Sequence, residues 1–326
     1  MKQFFLGTKS GKPFLELREV PAPEPGPGQL LVRVKAASLN RGELIAGHGL
    51  IHATGDGPGK PFGLDGAGEI IGLGAGVEGW TVGQRVMGRL HHGFAEVALA
   101  SAKEAIPAPE RLSWEEAACP IVYLTAYDML VANAHIAAGE WVLVTGISSG
   151  VGVACLQMAK ALGAHVIGTS GSSDKLAQLK RHGLDHGIAT RAELPQDEIK
   201  RVTGGHGVDI VINNVGGTMF EPCLAALAYK GRLATVGYVG GSLSARIDLE
   251  AVHRNRLHLF GVSNKNRKAV EREIQTAGFI QDILPLMAQG RLTPIIDKVY
   301  PFADLKAAQD RMLSNDFIGK IVVSMR

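Results

Sequence analysis

The chain has 326 residues, of which 46% are hydrophobic and 20% charged, and its net charge is +3. That length fits two domains of ordinary size, and the near-neutral charge excludes the basic footprint of a nucleic-acid-binding protein. Only 6% of residues are aromatic, which argues against a base-stacking platform, and no apolar run approaches the ~20 residues of a membrane span. Cys119, Cys155 and Cys223 are odd in number, widely spaced and set in apolar surroundings, so they read as buried thiols of a reducing compartment. The opening MKQFFLGTKSGK lacks the apolar core of a signal peptide, and a cytoplasmic location is expected.

Taken in order, residues 1–110 read as strands and turns. Strands are expected over Phe14–Val20 and Leu30–Ala37, with EPGPGQ as the turn between them. His48–Gly63 reads as a polar, glycine-rich loop; Leu64–Gly76, Arg85–Gly88 and His91–Ala100 read as further strands. The pattern changes at Ser113-Trp-Glu-Glu116, a capping box that opens a helix. Pro120 is expected to break or kink that helix before a second helical run over 123–134. From Trp141 strands and helices alternate as in a doubly wound sheet. The expected strands are 141–145, 165–169, 186–189, 208–212 and 231–236, with helices over 151–162, 173–182, 196–202 and 217–228. The tail reads as strand 257–262, a long helix 267–289, strand 295–300, helix 303–313 and strand 318–323. So strand-rich a tail is expected to return in part to the β-domain.

The chemistry-bearing stretch is Trp141–Gly163, WVLVTGISSGVGVACLQMAKALG. A short apolar strand runs into Gly146, Gly150 and Gly152 and then into a helix. That context suits a phosphate-binding turn: glycines let the backbone approach a pyrophosphate, and the helix N-terminus supplies free N–H groups. Ser148 and Ser149 add hydroxyls.

Two families share such a turn. TGISSGVG and Asn213-Asn-Val-Gly216 resemble elements of the short-chain dehydrogenases, but none of Tyr123, Tyr127, Tyr229, Tyr238 or Tyr300 has the Lys four residues on that those enzymes need. The chain more fully resembles the medium-chain dehydrogenase/reductase superfamily, and within it the zinc-free quinone oxidoreductase branch. Pro61-Phe-Gly-Leu-Asp-Gly-Ala-Gly68 resembles its PxxxGxExAG segment, Val82-Gly-Gln-Arg-Val86 its GDRV turn and Gly93-Phe-Ala-Glu96 its GGFAE strand. Leu124-Thr-Ala-Tyr127 resembles LTAY, VDIVINNVGG over 208–217 resembles VDVVLDxVGG, and Gly319-Lys-Ile-Val322 resembles GKIVL. The resemblance implies an α/β fold: a GroES-like β-rich catalytic domain over 1–122 and 264–326, with an inserted Rossmann doubly wound parallel-sheet domain over 123–263.

Further expectations follow from that resemblance. Where zinc-dependent relatives carry a cysteine ligand, this chain has Ser38-Leu-Asn-Arg-Gly-Glu43, and the histidine of their Gly-His-Glu is Leu64. No metal is therefore expected, and His48, His52, His91 and His92 read as loop histidines. After the second Rossmann strand comes Thr169-Ser-Gly-Ser-Ser173, with no acid until Asp174; an NAD enzyme places Asp or Glu there for the ribose. The resemblance puts Ser170, Gly171, Lys175, Thr190 and Arg191 around a 2′-phosphate, so NADPH is the expected cofactor. It adds Val151 and Asn214 at the turn, Asn40 and Thr125 beside the nicotinamide, and Gly237, Tyr238, Asn264 and Asn315 on closing loops.

Asn40 is the candidate catalytic amide together with Thr125, and its other reading is an Asx turn capping Arg41–Ala46. Ile45 and Gly47 depart from the family's aromatic and arginine, and the family aspartate is replaced within Asn213–Asn214. Without zinc or a Tyr–Lys pair, the expected reaction is hydride transfer from NADPH to a quinone or α,β-unsaturated carbonyl, whose reduced form delocalises charge. A weakly catalytic NADPH-binding redox sensor or structural protein and a zinc-dependent alcohol dehydrogenase are the alternatives. The apolar edge strand Leu257–Val262 leads us to expect a homodimer.

Overall fold

A computed structural model describes residues 1–10, 12–44, 57–191, 193–264 and 266–325. The chain divides into two compact units: Met1–Ile121 with Arg272–Arg326, and Val122–Glu271.

The first unit is built from β1 (Lys2–Lys9), β2 (Lys12–Glu19), β3 (Gln29–Ser38), β4 (Gly57–Pro61), β5 (Asp65–Leu73), β6 (Arg85–Arg89), β7 (Val97–Ser101) and β8 (Ala105–Pro107). The second contributes β9 (Trp141–Val144), β10 (His165–Ser170), β11 (His186–Ala189), β12 (Val208–Asn213), β13 (Leu227–Thr235) and β14 (His258–Gly261). The tail returns to the first unit with β15 (Ile296–Pro301) and β16 (Lys320–Ser324).

In the first unit a small sheet has the order β2-β1-β4, and a larger one runs β15-β16-β3-β5-β6-β8 with β7 also on β3. Every residue of β16 is buried, as expected of a strand flanked on both sides, by β15 in parallel and β3 antiparallel. Its core joins residues from both ends of the chain, among them Leu6, Val34, Ile70, Phe94, Leu305 and Ile321. The second unit is a parallel sheet of order β11-β10-β9-β12-β13-β14. The order reverses direction between β9 and β12, the switch point where doubly wound sheets bind ligands. Leu143, Ile167, Val211 and Leu233 fill one core of that sheet.

Several elements differ from expectation for local reasons. β1 and β8 carried too little alternation to be anticipated. Residues 57–61 of the expected loop form β4 against β1, while 45–56, with Ile45, Gly47, His48 and His52, lie outside the described residues. The run 91–100 is not one strand: after a bridge at His91, His92 adopts φ 66°, and only Val97–Ser101 is regular. The turn lets Phe94 pack on Phe62 at 4.8 Å between ring centroids. The capping box forms, with Ser113 and Glu116 exchanging bonds, and the helix breaks before Pro120 as expected; the second helix (Pro120–Tyr127) starts at Pro120 itself rather than at 123, since the first helical turn needs no N–H there. The helix from Gly217 stops at Ala225 because β13 starts earlier than expected. The long tail helix is two, Ala269–Asp282 and Leu284–Ala288, divided where Pro285 enters the second.

Candidate functional site: a dinucleotide turn and a buried polar cluster

In the second unit β9 leads through Gly146, at φ 60°, into the helix Gly150–Ala161. Ser149 is the N-cap, and its Oγ accepts from Gly152 N at 3.1 Å. Ser148, Gly150 and Val151 stay partly exposed around the helix start. The neighbouring strand end is locked against this turn: Asn214 Nδ2 donates to Thr145 O at 2.9 Å, and Asn214 N donates to Thr145 Oγ1 at 2.9 Å. Asn213 Oδ1 accepts from Val215 N and Gly216 N while its Nδ2 donates to Gly216 O. A carboxylate could accept those bonds but could not make the last, which explains an amide here. The turn, the helix N-terminus and Asn214 thus meet at the switch point, the arrangement that holds a pyrophosphate.

At the carboxyl end of β10, Ser170 Oγ accepts from Ser172 N at 3.2 Å, and Ser172 caps the helix carrying Lys175. Arg191, exposed, lies across Gly171 so closely that a Cβ there would stand 2.3 Å from Nε. Thr190 is joined to the same strand by its N–H to Ser170 O at 2.9 Å. Ser170, Gly171, Lys175, Thr190 and Arg191 are therefore neighbours and bring two cations to the strand end, with Asp174 the first acid after it in the chain. These groups fit a phosphate-bearing ribose. Thr125, buried, accepts from Asn264 Nδ2 at 2.6 Å. Gly237 faces Asn214 O, and Tyr238 beside it is half exposed. Asn40 and Asn315 belong to the first unit; Asn315 is exposed with φ 59°.

Asn40 stands in a polar cluster that sequence reasoning largely missed. Its Nδ2 donates to Asp65 Oδ1 at 2.8 Å and to Glu43 Oε2 at 3.2 Å, and its Oδ1 accepts from Lys320 Nζ at 2.7 Å. The amide does not cap the short helix Arg41–Leu44; instead Glu43 reaches back to accept from Asn40 N. Glu43 Oε1 accepts from Gly63 N at 3.1 Å, and Ser38 Oγ donates to Asp65 Oδ1 at 2.9 Å. Lys320 also donates to Leu39 O at 2.8 Å, and its Nζ lies 3.7 Å from Asp65 Oδ2. Ser38, Glu43, Asp65 and Lys320 are all buried, between 0% and 4% exposed. The signal for Lys320 was present in Gly319-Lys-Ile-Val322, where it spoke only for fold.

The electrostatics follow from that burial. Burial raises the Asp65 carboxyl above its ordinary value, against the pull of Lys320, Asn40, Ser38 and the Ile121 backbone. Glu43 is pushed up to about 7, by burial first and Asp65 second, against its bonds with Asn40 and the charge of Lys320. Burial likewise pushes the Cys119 thiol up to about 12, and Cys155 and Cys223 are raised for the same reason; such thiols are unreactive. His91 and His92 are lowered, chiefly by burial. Among the described residues no group of three or more His, Cys, Asp or Glu could hold a metal ion, and no helix is long and apolar enough to cross a membrane.

Glu43 makes a pH prediction. Its folded value lies above the ordinary 4.5, so the native state keeps a proton that the unfolded chain releases. The associated stability is full below pH 4.5 and is lost as pH rises through 7. Glu43→Gln should flatten the wild-type decline across that window by about 2–3 kcal/mol in urea melts. Parallel stability curves for the two proteins would show that Glu43 does not titrate there.

Comparison with known proteins agrees with this architecture. Residues 26–110 match the alcohol dehydrogenase GroES-like domain and residues 150–278 the zinc-binding dehydrogenase family. The human synaptic vesicle membrane protein VAT-1 homolog is 31% identical over 325 residues, 95% of this chain and 82% of that protein. Mycobacterial Rv1454c, solved in complex with NADPH, has a TM-score of 0.86 at 25% identity, over 99% of this chain and 100% of that one. The JamJ enoyl reductase has a TM-score of 0.83 at 25% identity, covering both chains fully. The likeness to the human protein takes in both units, and on it the chain belongs to the medium-chain dehydrogenase/reductase superfamily of oxidoreductases.

Proposed function

We propose that the chain is an NADPH-dependent, zinc-independent reductase of quinones or α,β-unsaturated carbonyls. The observation that carries the cofactor choice is the end of β10, where Ser170 and Arg191 flank Gly171 and Lys175 follows, with no acid to meet a ribose. A 2′-phosphate there gains charged hydrogen bonds, each contributing about 1.5–3 kcal/mol. The NADPH complex of Rv1454c supports the same choice. When bound, the reduced nicotinamide supplies the hydride.

The chain's own residues hold, orient and neutralise. The N–H groups at the start of the helix Gly150–Ala161 take the pyrophosphate, and Arg191 and Lys175 take the 2′-phosphate. Asn40 has both amide hydrogens committed to Asp65 and Glu43, so it can present only an acceptor: the second lone pair of Oδ1. That suits orienting a ribose or substrate hydroxyl better than stabilising an oxyanion. Leu64 stands where zinc-dependent relatives carry their histidine, and the cation beside Asp65 is the Lys320 ammonium. Without a Lewis acid, acceptors whose reduced forms delocalise charge are favoured; the JamJ likeness points the same way.

The test is to titrate NADPH and NADH in parallel against wild type, Lys175→Ala and Arg191→Ala. NADPH should bind at least about tenfold tighter to wild type, and each substitution should remove most of that margin. Equal binding of the two cofactors would refute the cofactor choice. Steady-state rates with quinones, enones and simple ketones then test the acceptor class, and a ketone preference would sink it.

A further inference from the structure

Arg89 ends β6 directly opposite Asp65 on β5. Side chains at facing positions of an antiparallel pair project to one side of the sheet, so Arg89 shares a face with Asp65. Its side chain is only 21% exposed. A guanidinium carries five donors, yet among the described residues the sole charged contact of the Arg89 side chain is Nε to Glu104 Oε2 at 3.7 Å, and that side chain makes no hydrogen bond. Glu104 is itself buried, and that same Oε2 accepts from Arg272 Nε at 2.8 Å. Two guanidiniums thus face one carboxylate already hydrogen-bonded to the other.

A partly buried guanidinium that makes no side-chain hydrogen bond among the described residues keeps its donors for an anion. Burial lowers the Arg89 pKa from its ordinary value; Glu104, Asp65 and Glu43 oppose that shift, and Arg272 adds to it. Asp65 and Glu43 are the carboxylates bonded to Asn40, which places Arg89 within electrostatic reach of that cluster. His91, with its own pKa lowered, supplies no competing cation at neutral pH.

We propose that Arg89 is a specificity-determining residue that receives a carboxylate, or a group of like charge and size, on the acceptor to be reduced. The planar fork of its guanidinium matches a carboxylate by paired hydrogen bonds, and Arg272 reinforces the positive field while holding Glu104. The inference rests on the reductase reading above and narrows its acceptors to those carrying an anionic group close to the activated double bond.

The test compares 4-oxo-2-pentenoate with its methyl ester, a pair differing in one charge, on wild type and Arg89→Gln. Wild type should favour the acid, and the substitution should raise the KM of the acid about tenfold or more while moving that of the ester less than about twofold. Arg89→Lys, which keeps the charge but loses the fork, should fall between and stands in for Arg89→Gln if that variant fails to fold. An equal loss with both acceptors, or no change with either, would overturn the proposal. So would a fall in NADPH affinity, which would assign Arg89 to the cofactor. If wild type reduces neither this pair nor the quinones and enones above, the reductase reading fails; whether or not it does, calorimetric binding of the saturated analogue 4-oxopentanoate to wild type and Arg89→Gln decides on Arg89: binding to wild type alone upholds the anion site, and equal or absent binding rejects it.

Discussion

Lys320→Met should cost the fold about 3–5 kcal/mol near pH 8, among the largest losses available to any single substitution here. Methionine keeps the length and apolar stem of the lysine but leaves Asp65, fully buried, without its cation, and leaves Leu39 O and Asn40 Oδ1 without their donor. Asp65 must then take a proton or stay charged in a dry site. The deficit should therefore shrink as pH falls, because protonation removes the uncompensated charge. Pairing the change with Asp65→Asn should recover part of the loss, since the two residues form one interacting unit. Urea denaturation at pH 5 and pH 8 reads all three quantities. A loss below about 1 kcal/mol that does not vary with pH would mean that the cluster is hydrated and its ion pair behaves like a surface contact.

Gly152→Val should abolish tight cofactor binding while leaving the second unit folded. A Cβ at Gly152 would sit 2.6 Å from Ile147 O and 2.7 Å from Gly146 O, both backbone atoms of the turn. Neither can move without disturbing the bonds of the turn, Ile147 N to Thr169 O at 2.9 Å and Ser149 N to Gly146 O at 3.1 Å, and with them the helix N-terminus proposed to meet the pyrophosphate. Overpacking of this kind costs about 1–3 kcal/mol of stability. The loss of a charged hydrogen bond or more should weaken NADPH binding by at least about tenfold. Fluorescence titration of NADPH beside a thermal melt separates the two effects. Unchanged affinity would mean that the turn does not hold the phosphates.

What could be read from the sequence followed the range of the interactions involved. The turn, its flanking strand and the capping box at Ser113 are local: strand, glycines, cap and helix lie within some twenty residues and announce themselves by composition. The strands at 186–189 and the helix at 196–202 were legible for the same reason. Pro120 was legible as punctuation, whereas the expected helix 267–289 ran through Pro285; whether a proline kinks a helix or opens one depends on where neighbouring elements pack. β4 was hidden because GPGKP has no strand character of its own and is extended only through its pairing with β1. The polar cluster was the least legible part. Ser38, Asn40, Glu43, Asp65 and Lys320 come from three stretches separated by up to about 280 residues, and no spacing rule unites them. Arg89 was hidden likewise, since its place opposite Asp65 and beside Glu104 is a property of its surroundings.

The place of β16 bears on how the protein is made. It is an interior strand of the first unit's larger sheet, lying between β15 and β3, and it carries the counter-charge for Asp65. A ribosome delivers β3 and β5 early and β16 only after the entire second unit, so the larger sheet must wait with β3 unpaired along the edge that β16 will cover. During that interval Asp65 has no buried cation, and the chain between them can already fold as a parallel sheet. Assembly of the first unit is thus set by the last strand to arrive, and the closing step is at once a strand insertion and a neutralisation of charge.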